Sequence, residues 1–318
     1  MAEASAVVAS RPRLWVFALL AFLARGGLVA LVIPMLVLPT FVGLSNTVGP
    51  TSVTAAGPTP RLIAMVATWL GVVLGAIVGG TLIAAAAEVA LHRATVAPGA
   101  DRAVSGFPPR VIAARDGTAP AAVTAATAPT TRGIVLRVAM VRLVLLLPVA
   151  IALAAAVPAW VQVAYRELLL PTDLAIPLPV RVIAGAPLPA AVVIAAWLAA
   201  EVLGGLAARR VALHGSSVAG SLRAAAGDVA SAPVSASLTL TLAIGGTLLV
   251  LVPAVVVVGA AWDHARIALV DGTDAAGIIL TTLVLVAAWA GCLAVAGIAA
   301  AWRSALWTAE QARHARAG

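Results

Sequence analysis

The sequence predicts an all-α integral membrane protein: six transmembrane helices as three hairpin repeats, with interfacial helices and both termini in the cytoplasm. Three observations carry this. Apolar residues make up 63% of the chain and charged residues only 10%. Six stretches are long and apolar enough to cross a bilayer. The arginines alternate between connections in the order that six spans require.

Composition excludes a water-soluble fold. A soluble domain carries about 45–50% apolar and about 25% charged residues. A soluble fold must present much of its surface to water, so it has nowhere to put this much apolar surface. A bilayer removes that requirement. All 20 basic residues are arginine, and the net charge is +8. With the abundant alanine, this points to GC-rich coding and a bacterial source. The positive charge reads as the inner-face bias of a membrane protein, with no nucleic acid as partner. Cys292 is the single cysteine, so no intrachain disulfide forms. The apolar stretch beginning at Leu14 is much longer than a signal core of about 7–15 residues, and it reads as a retained segment.

The spans are expected at about 26–44, 62–87, 143–163, 187–208, 237–261 and 276–301, each close to the about 20 residues that cross the hydrocarbon. Sixteen arginines fall in the N-terminal segment, the connections after the second and fourth spans, and the C-terminal tail. Only Arg61, Arg166, Arg181 and Arg266 fall in the other three connections. That asymmetry places both termini inside. Trp160 and Trp262 at outer ends, with Trp15, Trp302 and Trp307 at inner ends, mark the two interfaces.

A repeat search divides the chain into units of about 12–93, 131–210 and 217–303, with a flexible cytoplasmic insert over 94–130. Residues 90–97 (ALHRATVA) match 212–219 (ALHGSSVA), and 301–308 (AWRSALWT) match 208–215 (ARRVALHG). Each unit begins with an expected in-plane helix, at about 12–25, 131–142 and 217–231. The break between the first of these and its span is expected at Gly26-Gly27. Next comes a span with internal proline: Pro34 and Pro39, then Pro148 and Pro158, then Pro253. These read as packing kinks or as hinges of a pathway. The returning spans carry Trp69, Trp197 and Trp289. Gly71, Gly75 and Gly79 lie on one face of the second span, where close packing within the chain is preferred to homodimerisation.

Charges within spans are the candidate functional groups. Glu201 is the foremost, about 12 Å inside the end of its helix. A carboxylate there needs a partner or a proton. Arg25 and Arg142 are the candidate partners. The group reads either as a coupling or substrate site or as a structural ion pair between units. Glu88 reads as an interfacial residue. His92 and His214 share a repeat position, but no supporting ligands accompany them, so neither metal nor cofactor is expected. No P-loop, HExxH or GxSxG sequence is present.

The passage from Ala208 to Asp228, ARRVALHGSSVAGSLRAAAGD, enters a proline-bearing span, and the last span ends in WRSALW at 302–307. This pattern resembles bacterial multi-pass proteins with in-plane helices between hairpins, such as the membrane domain attached to some glycerophosphodiester phosphodiesterases. The soluble phosphodiesterase domain is absent from this sequence. The resemblance therefore implies architecture and no activity. Three functions stay open: a non-enzymatic cell-membrane module for a membrane or cytoplasmic protein partner, a small-solute or ion transporter using Glu201, and an intramembrane lipid enzyme.

Overall fold

Prolines and short polar side chains set the helix starts. Thr130 accepts from Gly133 N (3.2 Å), Ser217 from Gly220 N (3.2 Å) and Asp274 from Gly277 N (3.2 Å). Each satisfies an amide that the first helical turn leaves unbonded. Pro60, Pro187 and Pro233 open helices where no amide is needed.

The computed structural model describes residues 8–9, 11–32, 35, 53–54, 57–96, 130–173, 176, 178–272 and 274–317. Helix α1 (Pro12–Phe22) passes through a π-type turn (Leu23–Gly27) into the short α2 (Leu28–Val32). Two-residue antiparallel strands, β1 (Val53–Thr54) and β2 (Gly57–Pro58), precede α3 (Pro60–Val96). Then follow α4 (Thr131–Leu169), α5 (Leu178–Gly185), α6 (Pro187–His214), α7 (Val218–Ser231), α8 (Pro233–Val270) and α9 (Ala275–Ala317).

Six stretches are long and apolar enough to span a membrane: Pro12–Val32, Pro60–Ala94, Thr131–Leu169, Pro187–His214, Pro233–Val270 and Ala275–Gln311. Large apolar side chains lie exposed along them, Trp69 at 65% and Leu249 at 77% among them. Surfaces of that kind are stable only against lipid. The chain is a multi-pass integral membrane protein.

Five of the spans fall where the sequence put them, inside longer helices. The first differs. The apolar helix already begins at Pro12, and most of 33–44, with Pro34 and Pro39, lies outside the described residues. Gly26 breaks the helix, with φ +97°. The expected in-plane helix at 131–142 is not separate. It continues without interruption into the span, because neither glycine nor proline stands at the Arg142–Leu143 junction and arginine is a good helix former. Pro148, Pro158 and Pro253 likewise lie inside unbroken helices. The helix expected at 217–231 does stand apart as α7, between left-handed Gly215 (φ +65°) and Pro233. Helix α5 had no counterpart among the expectations.

The chain divides into two compact units. Unit 1 comprises residues 1–106 and 242–306, and unit 2 residues 107–241 and 307–318. In unit 1, Leu14, Ala18, Leu91 and Ala301 form one buried cluster, and Leu31, Val258 and Cys292 another. Gly80 lies against the Ala24 carbonyl, and Gly246 against the Trp302 ring. Gly71, Gly75 and Gly79, in contrast, have nothing within 4 Å of where a Cβ would sit. Among the described residues, the close packing expected at this glycine face is not found. In unit 2, α4 packs along α6, and α5 and α7 add to the pair. The second half of α6 is the centre of unit 2: Leu206, Ala207, Ala208 and Val211 are fully buried.

Candidate functional site

A charge on an apolar helix is stable only when another group meets it. In unit 1, Arg25 lies within the π-type turn, and its guanidinium pairs with Glu88 of α3. The Glu88 side chain is 7% exposed, against 33% for Arg25. Glu88, expected at the interface, is thus a buried ion-pair member. Arg11 Nη1 donates to the Ala94 carbonyl (2.7 Å), which fastens the start of α1 to the far end of α3.

Unit 2 holds Arg142 and Glu201. Both are half-buried, and the Glu201 carboxylate acts electrostatically on the Arg142 guanidinium. Gly204, one turn beyond Glu201, makes room for this: a Cβ at that position would run into the Arg142 guanidinium. Of the three candidates, the structure therefore places Arg142 and Glu201 in one unit, within electrostatic reach of each other, and gives Arg25 an ion pair with Glu88.

A second polar group in unit 2 escaped the sequence. Arg209, 3% exposed, donates from Nε to Thr308 Oγ1 (3.1 Å) and from Nη1 to the Gly205 carbonyl (2.6 Å). Glu310, 1% exposed, accepts from Ser235 Oγ (2.6 Å), Thr239 Oγ1 (3.1 Å) and Arg313 Nη1 (3.0 Å). These bonds gather the last turns of α6 and α9 and the first turns of α8. The available signal was the four-residue spacing of Ser235 and Thr239, which puts both hydroxyls on one helix face.

Further ties complete unit 2. Arg210 Nη2 donates to both Asp228 carboxylate oxygens (2.8 and 2.6 Å), holding α7 to α6. Arg137 Nη1 donates to the Gly215 carbonyl at the turn between them (2.7 Å). At the other end of α4, buried Glu167 accepts from Thr172 N and Oγ1 (3.0 and 2.9 Å) and from Arg181 Nη1 (3.0 Å). Trp160, expected at an outer helix end, has a buried Nε1. His92 is buried and His214 exposed. Among the described residues no three His, Cys, Asp or Glu side chains gather as metal ligands.

No family model matches the chain, and neither a curated protein nor a solved structure matches it. The resemblance drawn from residues 208–228 and 302–307 therefore rests on pattern alone.

Proposed function

We propose that this chain is a non-enzymatic membrane module that supports a protein partner, an assembly or the organisation of the membrane. The observation that carries this is the use made of the charges along the spans. Arg25, Glu88, Arg142, Glu201, Arg209 and Glu310 each engage a group on another helix of the same unit. Such ties hold helices together, and the partner would dock on the finished scaffold.

The same proposal includes three hairpin repeats, both termini in the cytoplasm, and residence in a bacterial cytoplasmic membrane. The arginine asymmetry supports the orientation. The shared pattern with hairpin proteins bearing in-plane helices supports the repeat. Purification in mild detergent from the native host tests the functional reading. A stoichiometric protein partner is expected. A solitary chain with catalytic activity would overturn it.

A transporter is the second reading, favoured by one observation: Glu201 acts electrostatically on Arg142 from near the middle of α6, away from its ends. Uptake into proteoliposomes by wild type and by Glu201→Gln decides it. Uptake unchanged in the variant removes Glu201 from any coupling role.

A further inference from the structure

Trp307 and Gln311 stand one helical turn apart on α9, so their side chains share a face. Both are buried, at 2% and 7% exposure. The Trp307 indole Nε1 is a buried donor with no hydrogen-bond partner among the described residues. Gln311 Oε1 is a buried acceptor in the same condition. A buried polar group without a partner is costly, so a native fold seldom leaves two on one helix face.

Polar groups stand next to them along the chain. The Trp307 ring lies over Gly205, where a Cβ would come 3.2 Å from Cδ2 and 3.3 Å from Cε2. Cε2 carries the indole nitrogen. The indole ring therefore packs on α6 at Gly205, whose carbonyl accepts from Arg209. Thr308 and Glu310, its neighbours on α9, take part in the same group of bonds. Every residue named belongs to unit 2.

We propose that the inner end of unit 2 is an internal hydration site, in which bound water satisfies Trp307 Nε1 and Gln311 Oε1 beside Arg209 and Glu310. The chemistry selects the ligand. A donor and an acceptor must both be answered, which a metal cation or an anion cannot do. Water donates and accepts, and it carries no charge into a place where Arg209 and Glu310 already oppose each other in sign. Buried water with about three polar partners is an ordinary component of protein interiors.

Gln311→Leu gives opposite signs under the two alternatives. If Gln311 Oε1 is bonded to water, leucine strips that water of a partner, and the melting midpoint in detergent falls by several degrees. If the atom is a true orphan, leucine removes a penalty, and the midpoint rises or stays. A rise or no change overturns the proposal. A second measurement needs no variant. Brief X-ray radiolysis of the wild type in ¹⁸O water oxidises residues beside bound water. Peptide mapping is expected to find ¹⁸O on Trp307 despite its burial. An unmodified Trp307, at a dose that oxidises a tryptophan-bearing tag on the same chain, overturns it as well.

Discussion

Single residues carry unusual weight here because so few polar groups enter the spans. Arg142 and Glu201 illustrate it. Each is tolerable in an apolar setting because the other is present, so their contributions are expected to be coupled. In a double-mutant cycle with Arg142→Gln and Glu201→Gln, the coupling is expected at about 0.5–3 kcal/mol, read from unfolding in detergent. Additive losses would mean that the two groups do not interact. Glu310 makes a related case, with two buried hydroxyls beside Arg313 as its partners. Glu310→Ala leaves Ser235 and Thr239 hydroxyls buried without their acceptor, a loss of about 1–3 kcal/mol per unmade bond. Hydrogen exchange near Ser235 is expected to speed up accordingly, and unchanged exchange would show that the hydroxyls find other partners.

At the scale of elements, glycines separate two kinds of constraint. Gly26 sits at φ +97° with nothing within 4 Å of a Cβ, so only backbone strain opposes substitution. Gly26→Ala is expected to cost about 1–2 kcal/mol. Gly75 is the reverse case, helical and with open space around it. Gly75→Leu in the monomeric protein is expected to be neutral or to gain up to about 1 kcal/mol from helix propensity. A clear loss of stability would reveal a helix packed on that face. These two positions also mark what the sequence disclosed. The break at Gly26-Gly27 was legible because a 31-residue apolar run is too long for one crossing, and glycine is where the backbone yields. The packing at Gly71, Gly75 and Gly79 was not, because a small-residue face states what it permits and not what comes to it. The continuity of α4 was missed for a related reason. Arg132, Arg137 and Arg142 lie in the stretch expected as an in-plane helix, yet arginine does not end helices. In the structure Arg137 donates to the Gly215 carbonyl, and Arg142 lies within electrostatic reach of Glu201. Glu310 lies beyond the last expected span, where a single acid among arginines gives no sign of burial.

For the whole molecule, helix length adds to what composition implied. Helix α4 has 39 residues and α9 has 43. At 1.5 Å per residue they run about 58 and about 64 Å, roughly twice the hydrocarbon thickness. Tilt alone cannot absorb such an excess at the usual angles of about 20°. Helix ends must therefore stand clear of the bilayer core, and the arginine distribution predicts the side on which they do so. The ends that carry Arg93, Arg132, Arg209, Arg210 and Arg313 belong to the arginine-rich connections and tail. Reporter fusions test this as one pattern. A cytoplasm-only fluorescent protein is expected to shine after residues 110, 216 and 318, and a phosphatase that folds only outside is expected to be active after 52, 175 and 272. The exact inverse would reverse the orientation while keeping six spans. Two successive fusion points reporting the same side would remove the span between them. Because the rule weighs the arginines near span ends, replacing Arg132, Arg209 and Arg210 together by glutamine is expected to give a mixed pattern at residues 175 and 216. A pattern unmoved by that change would mean that helix packing, not inner-face charge, fixes the orientation of unit 2.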